Sequence, residues 1–339
     1  MPKPNFAMQR PSAPFYVQFE VTEACNHSCF FCYNTGKNNE SLSTAEIKKI
    51  LSDMHTSGVF SINFNGGEPL MRPDFFELAQ YAHELGFDLH LNTNGTLIDE
   101  HKADLIAKFF PSVCTSVLAS ALELHDKFVG RSGAFSRMKN GVSLLTSRGV
   151  LVEINVCTFQ ENYEDLYNIA KVMAEQNVHV FCVTRYILVD ARHRKHLLGK
   201  NETIDILNTL ERISNDFPTY KEVKLPGPVP YCELPENQKE RLRRWNTPCQ
   251  IGYGLCRISA KGEVTPCPLS TFSIGHLRDM SFREVWAHKN WCHFESFCHL
   301  PRGCHSCEDL PSCRGGCIGY DDYLKSAGLT PKTLKWKAI

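Results

Sequence analysis

The chain has 339 residues, 42% of them hydrophobic, and its 37 basic residues balance 37 acidic ones. A neutral total excludes a global field suited to nucleic acid or an anionic membrane. No apolar run approaches the ~18 residues of a spanning helix, and residues 1–13 lack the apolar core of a signal peptide, so a cytoplasmic protein without nucleic-acid or membrane partners is expected.

Residues 1–14 form an N-terminal extension. From 15 to about 215, strand-like and helix-like stretches alternate, the pattern of a parallel sheet with crossover helices. Short apolar runs rich in β-branched or aromatic residues predict strands over 15–21, 59–64, 87–92, 113–118, 150–156 and 178–184. Ser43 followed by Glu46 opens the first helix as a capping box, which gives way to the second strand near Ser57 and Gly58. A second helix follows Pro73 and Asp74 and ends near Gly86. Six such units fall short of the eight that close a full barrel, so the expected fold is α/β, a partial (β/α)6 TIM-like barrel over 15–224. Residues 225–248, with five prolines and a charged run at 239–244, read as a bridging segment. A small cysteine-rich domain over 249–320 and a tail over 321–339 complete the division.

Among the sixteen cysteines two groups, Cys25, Cys29 and Cys32, and Cys304, Cys307, Cys313 and Cys317, are too tightly spaced for several local disulfides. Cys25, Cys29 and Cys32, spaced C-x3-C-x2-C just after the first strand, suit three irons of a cubane and leave a fourth open. A structural zinc site is the competing reading, but zinc usually takes four ligands, and His27 lies inside the loop. Cys114, Cys157, Cys182 and Cys232 stand singly; the first three, in apolar strand contexts, read as small buried hydrophobes.

The run Cys25-Asn26-His27-Ser28-Cys29-Phe30-Phe31-Cys32 resembles the defining motif of the radical S-adenosylmethionine superfamily. That resemblance implies a [4Fe–4S] cluster whose open iron chelates S-adenosylmethionine and cleaves it reductively to a 5′-deoxyadenosyl radical, which abstracts a substrate hydrogen. It places Phe31 against the adenine. Asn65-Gly66-Gly67-Glu68-Pro69, directly after the second strand, is similar to the family's Gly-Gly-Glu-Pro motif, which holds the methionine amino group. Two glycines allow close backbone approach to a ligand, and a carboxylate accepts hydrogen bonds from an ammonium group. By the same resemblance Asn94 lies near the cofactor, and Ser116, Asn155 and Arg185 take positions where relatives hold its ribose and carboxylate. Glu123, His125 and Asp126, followed by Gly130, Arg131 and Gly133, resemble a stretch of the peptide-modifying branch, though a helix-entry turn explains them equally well.

Cys249, Cys256 and Cys267 around Gly262, with Cys304, Cys307, Cys313 and Cys317, are similar to the auxiliary-cluster domain called SPASM. The resemblance assigns Cys249, Cys256, Cys267 and Cys317 to one auxiliary [4Fe–4S] cluster and Cys304, Cys307 and Cys313 to a second. No cysteine follows Cys317, so the last ligand falls to Cys298, to Asp321 or Asp322, or to an exchangeable site; a zinc ribbon is the alternative. Cys292 has no partner pattern.

This branch favours oxidation or cross-linking of a ribosomally made peptide, with tetrapyrrole side-chain processing and sulfatase maturation as the other enzyme readings. Leu118-Ala119-Ser120 stands where many relatives carry Asp-Gly, which counts against sulfatase maturation. An iron–sulfur electron carrier is the non-enzyme reading, but it leaves the Gly-Gly-Glu-Pro motif without a purpose. The resemblance implies a peptide or small-molecule substrate, a reducing partner such as flavodoxin or ferredoxin, and a separate leader-peptide-binding protein. No residue stands out as a general base.

Overall fold

The computed structural model describes residues 9–34, 41–188, 190–227, 229–297, 299–300 and 302–317. Strands β1 (Tyr16–Glu20), β2 (Ser61–Asn65), β3 (Asp88–Thr93), β4 (Ser112–Ser116), β5 (Leu151–Thr158) and β6 (Val180–Arg185) pair in parallel in chain order, as the alternation predicts. Helices α1 (Thr44–Thr56), α2 (Phe75–Glu84), α3 (Glu100–Phe109), α4 (Leu122–Val129), α5 (Ala134–Thr146) and α6 (Leu166–Ala174) cross between them. The Ser43 and Glu46 capping box is made as expected and satisfies donors at the start of α1, worth about 1 kcal/mol.

The sheet extends beyond the six expected units on both sides. After α7 (Lys200–Asp216), β7 (Glu222–Pro226) joins β6 in parallel; α8 (Glu236–Trp245) then leads to β8 (Asn246–Thr247) against β7. On the other edge β9 (Leu255–Ile258) pairs in parallel with β1, and β10 (Glu263–Thr265) and β11 (Gly275–His276) follow antiparallel. The sheet order is β11-β10-β9-β1-β2-β3-β4-β5-β6-β7-β8. The stretch expected only to bridge thus contributes core, with Tyr231, Leu242 and Trp245 buried. Its prolines hid this, because they fall at the end of β7 or between the short elements.

Side chains alternate across each strand. Val17, Phe19, Ile62, Phe64, Leu89, Leu91, Val152, Ile154, Phe181 and Val183 are fully buried. On this helix-covered face Phe64 packs on Phe75 and Phe110. A buried phenylalanine of this kind contributes roughly 1.5–3 kcal/mol. The other face lines a lumen, and its composition departs from the branched aliphatic filling usual for such barrels. Gln18 and Glu20 on β1, Asn63 and Asn65 on β2, Cys114 and Ser116 on β4, and Glu153, Asn155 and Cys157 on β5 share it. Cys182 and Thr184 on β6, Lys224 on β7 and Arg257 on β9 continue it.

Candidate active site

Cys25, Cys29 and Cys32 sit on the loop leaving the C-terminal end of β1. Burial raises all three thiols above the ordinary range; neighbouring charge raises them further, the Cys32 and Cys25 thiolates acting on Cys29, Glu68 and Cys32 on Cys25, and Glu20 on Cys32. Three thiols on one short loop gain from a cationic iron core that takes up their charge. Among the described residues no group of three His, Cys, Asp or Glu side chains converges to hold a single metal ion. A cubane instead spreads its ligands over separate irons, so the donor set fits a cluster with three thiolate ligands.

The loop is pinned from three sides. Gly67 N donates to Thr22 O and Glu68 N to Ala24 O, both at 2.7 Å. A Cβ on Gly66 would lie 2.3 Å from Thr22 O, and one on Gly67 2.1 Å from Ala24 O. The two glycines therefore allow close approach to the cluster loop. Glu68 is wholly buried and already engaged: Oε1 accepts from Thr93 Oγ1 and Leu70 N, and Oε2 from Asn94 N. Burial raises its carboxyl, and these three donors work against the rise. Asn94 Nδ2 in turn donates to Asn26 Oδ1 at 2.7 Å, and Asn26 Nδ2 to Thr96 Oγ1 at 2.9 Å. Glu68 and Asn94 thus form a strut from the glycine turn through β3 to the cluster loop.

On the third side Ser28 N donates to Val129 O at 2.8 Å, so the end of α4 holds the loop. Phe31 lies 5.9 Å from Phe159, nearly parallel to it, and crosses Phe30 edge-on. Phe30 packs on Phe128, Phe159 and the rings of His193 and His196, which lie on a 3-10 segment, Ala191–His196, after β6. Cys157 joins this apolar wall, and the Cys32 thiolate further raises its thiol, which burial chiefly raises to about 12.

Of the other positions expected at the cofactor, Ser116 is exposed at the end of β4. Asn155 accepts from Thr184 Oγ1 at 3.1 Å, and Arg185 donates to Leu198 O at 3.2 Å. Ser120 gives both its N–H and its hydroxyl to Asp165. The stretch at 123–133 is most of α4 and the turn from it into α5: Asp126 accepts from Gly133 N and Phe135 N at the start of α5, and His125 Nδ1 accepts from Leu118 N.

Deeper in the lumen lies a group that sequence reasoning missed. Lys224 Nζ stands 2.6 Å from Glu153 Oε2, and Cys114 Sγ 3.9 Å from Glu153 Oε1. Burial chiefly, and then the charge of the same carboxylate, to which it hydrogen-bonds, raise the Cys182 thiol well above the ordinary range. Cys182 is buried as the sequence suggests, but both it and Cys114 face the Glu153 carboxylate, so their surroundings are not apolar. The signal available was the alternation itself, which puts Cys114, Glu153, Cys182 and Lys224 on one face once the strands are in register. On β2, Asn63 and Asn65 are 3% and 6% exposed, and each side-chain Oδ1 lacks a donor among the described residues.

In the C-terminal region Gly262, at φ 93°, turns β9 into β10 and delivers Cys267 as the spacing suggests. The thiolates of Cys317 and Cys249 add to burial in raising Cys267, so these three come together. Cys256 is enclosed in the core on β9, where burial alone raises its thiol. Cys313, beside Cys307, accepts from Tyr231 N, and Cys304 packs against Phe297 and Leu310. Cys298, Asp321 and Asp322 lie outside the described residues.

Residues 19–173 match the model of the radical SAM superfamily, and residues 249–308 that of an iron–sulfur cluster-binding domain, SPASM. The chain belongs to the radical S-adenosylmethionine superfamily. It is an enzyme of the SPASM group, and its cofactors are [4Fe–4S] clusters and S-adenosylmethionine. It is 29% identical over 323 residues to an AdoMet-dependent heme synthase of Oleidesulfovibrio alaskensis, covering 89% of this chain and 81% of that one. It is equally 29% identical over 317 residues to the mycofactocin maturase MftC of Mycobacterium tuberculosis, covering 90% and 78%. The fold matches the crystal structure of Streptococcus suis SuiB bound to S-adenosylmethionine with a TM-score of 0.75, at 18% identity, over 90% of this chain and 73% of that one. Among the described residues no helix is long and apolar enough to cross a membrane.

Proposed function

We propose that this radical SAM enzyme oxidises or cross-links a ribosomally made peptide whose reacting residue enters the lumen. When bound, the cluster and S-adenosylmethionine supply the 5′-deoxyadenosyl radical that abstracts a substrate hydrogen. Cys25, Cys29 and Cys32 would hold that cluster. Phe31, Gly66, Gly67, Asn94, Ser116, Asn155 and Arg185 would surround the cofactor, with Glu68 acting through Asn94. Cys249, Cys256, Cys267 and Cys317, and Cys304, Cys307 and Cys313, would hold the auxiliary clusters.

The observation carrying the substrate reading is the pair of orphaned carbonyl oxygens on Asn63 and Asn65. A buried acceptor without a donor costs roughly 1–3 kcal/mol, and the N–H groups of a peptide would satisfy both. The maturase relative agrees with this. The 29% identical heme synthase keeps a tetrapyrrole as the second reading. The deciding experiment supplies anaerobically reconstituted enzyme, S-adenosylmethionine and dithionite with candidate precursor peptides or with iron coproporphyrin. Loss of hydrogen from a peptide, read by mass spectrometry alongside 5′-deoxyadenosine, supports the first reading; change in the porphyrin alone overturns it.

A further inference from the structure

The cluster loop is flanked by positive charge that its own contacts leave unused. Phe30 bridges two elements, 6.4 Å from Phe128 on α4 and 4.5 Å from the His196 ring on the 3-10 segment. Lys127 and Arg131 at the end of α4, and Arg194 and Lys195 on the segment, are exposed and make no ion pair among the described residues.

The carboxylates of the same elements are mostly spent. Asp126 accepts from the backbone of Gly133 and Phe135, Asp190 pairs with Arg192, and Glu161 pairs with His196. Glu123 on α4 is exposed and opposes the surplus in part. In a chain whose charges cancel overall, this collar is a local field.

Resting on the assignment of Cys25, Cys29 and Cys32 to the catalytic cluster, we propose that the collar is the docking surface for a small acidic electron carrier of the flavin or iron–sulfur class. Cys25 is exposed, so a carrier seated on the collar comes close to the cluster ligands. The carrier loses one electron, which reduces the cluster; no bond forms and no proton moves. Complementary charge of this kind mainly speeds encounter and fixes orientation, and salt screens it over about 8–10 Å.

The test uses holoenzyme and the fourfold variant Lys127→Glu, Arg131→Glu, Arg194→Glu and Lys195→Glu, with oxidised flavodoxin as the probe. Calorimetric titration at low salt should show binding weakened on the order of tenfold or more, the gap closing as salt rises. 5′-Deoxyadenosine formation driven by flavodoxin and its reductase should fall in parallel, while the dithionite-driven rate stays at the wild-type level. Should the fourfold variant lose iron, the pairs Lys127→Ser with Arg131→Ser and Arg194→Ser with Lys195→Ser carry the same comparison. Unchanged flavodoxin binding overturns the proposal, as does a collar that captures poly-glutamate but not flavodoxin, which would mark it as a seat for acidic peptide. No dithionite-driven cleavage by the wild type sinks the catalytic reading itself, and the docking surface with it.

Discussion

Arg257 Nε lies 2.7 Å from Glu20 Oε1, tying β9, the strand that carries Cys256, to the last residue of β1 before the cluster loop. Glu20 is 1% exposed, and the Tyr33 side chain, one residue beyond Cys32, also hydrogen-bonds to it. One carboxylate thus fixes the start of the cluster loop, its end and the C-terminal hairpin. Breaking a buried pair strands the remaining charge, at a cost of about 3–5 kcal/mol. Arg257→Ala should lower stability by that order in chemical denaturation. Arg257→Met combined with Glu20→Leu should recover much of the loss, which fails to happen if the pair matters through its hydrogen bonds to the loop alone.

Gly67→Ala should block cluster assembly without unfolding the barrel. The added methyl would press on Ala24 O, which is backbone and cannot swing aside, so the loop carrying Cys25 must move. Iron analysis after anaerobic reconstitution should read about four irons fewer than wild type, while circular dichroism keeps its helical signal. Full iron loading would refute the packing role.

His125 gives the protein an acid-sensitive element. Burial holds its imidazole down at about 4, chiefly by disfavouring the charged form. As pH falls the unfolded chain takes up that proton first, so the stabilising contribution is complete above about 6.5 and is lost as pH falls toward 4. The full span is about 3 kcal/mol from the size of the shift. His125→Gln, which keeps an acceptor for Leu118 N, should flatten the pH dependence over this window. Denaturation midpoints at a series of pH values would reveal parallel curves if the residue is irrelevant.

Lys224→Met should leave Glu153 without its cation in the lumen. Both side chains retain about a quarter of their exposure, so the stability loss stays near 1 kcal/mol. Product yield should suffer more than cofactor cleavage: 5′-deoxyadenosine continues to form while its ratio to product rises. A constant ratio would place the pair outside the substrate's reach.

Much of this was legible in the residues. The six strands and the Ser43 cap follow from alternation and capping chemistry, which act locally, and Gly262 announced its hairpin because a positive φ needs glycine. The partners of Glu68 were not legible, since Thr93 and Asn94 lie more than twenty residues away and only the sheet register brings them together. Cys114 and Cys182 misled for the same reason. Read singly they are small apolar residues; read across β4, β5 and β6 they face Glu153.

The parallel seat of β9 against β1 also sets an order of events during synthesis. The first strand leaves the ribosome with one edge bare, and the segment that covers that edge emerges more than two hundred residues later. Throughout that interval an unpaired strand bordering a cysteine-bearing loop is open to wrong partners. A chaperone that holds this edge, or slower loading of iron until the final third has docked, would decide how much active enzyme a cell recovers.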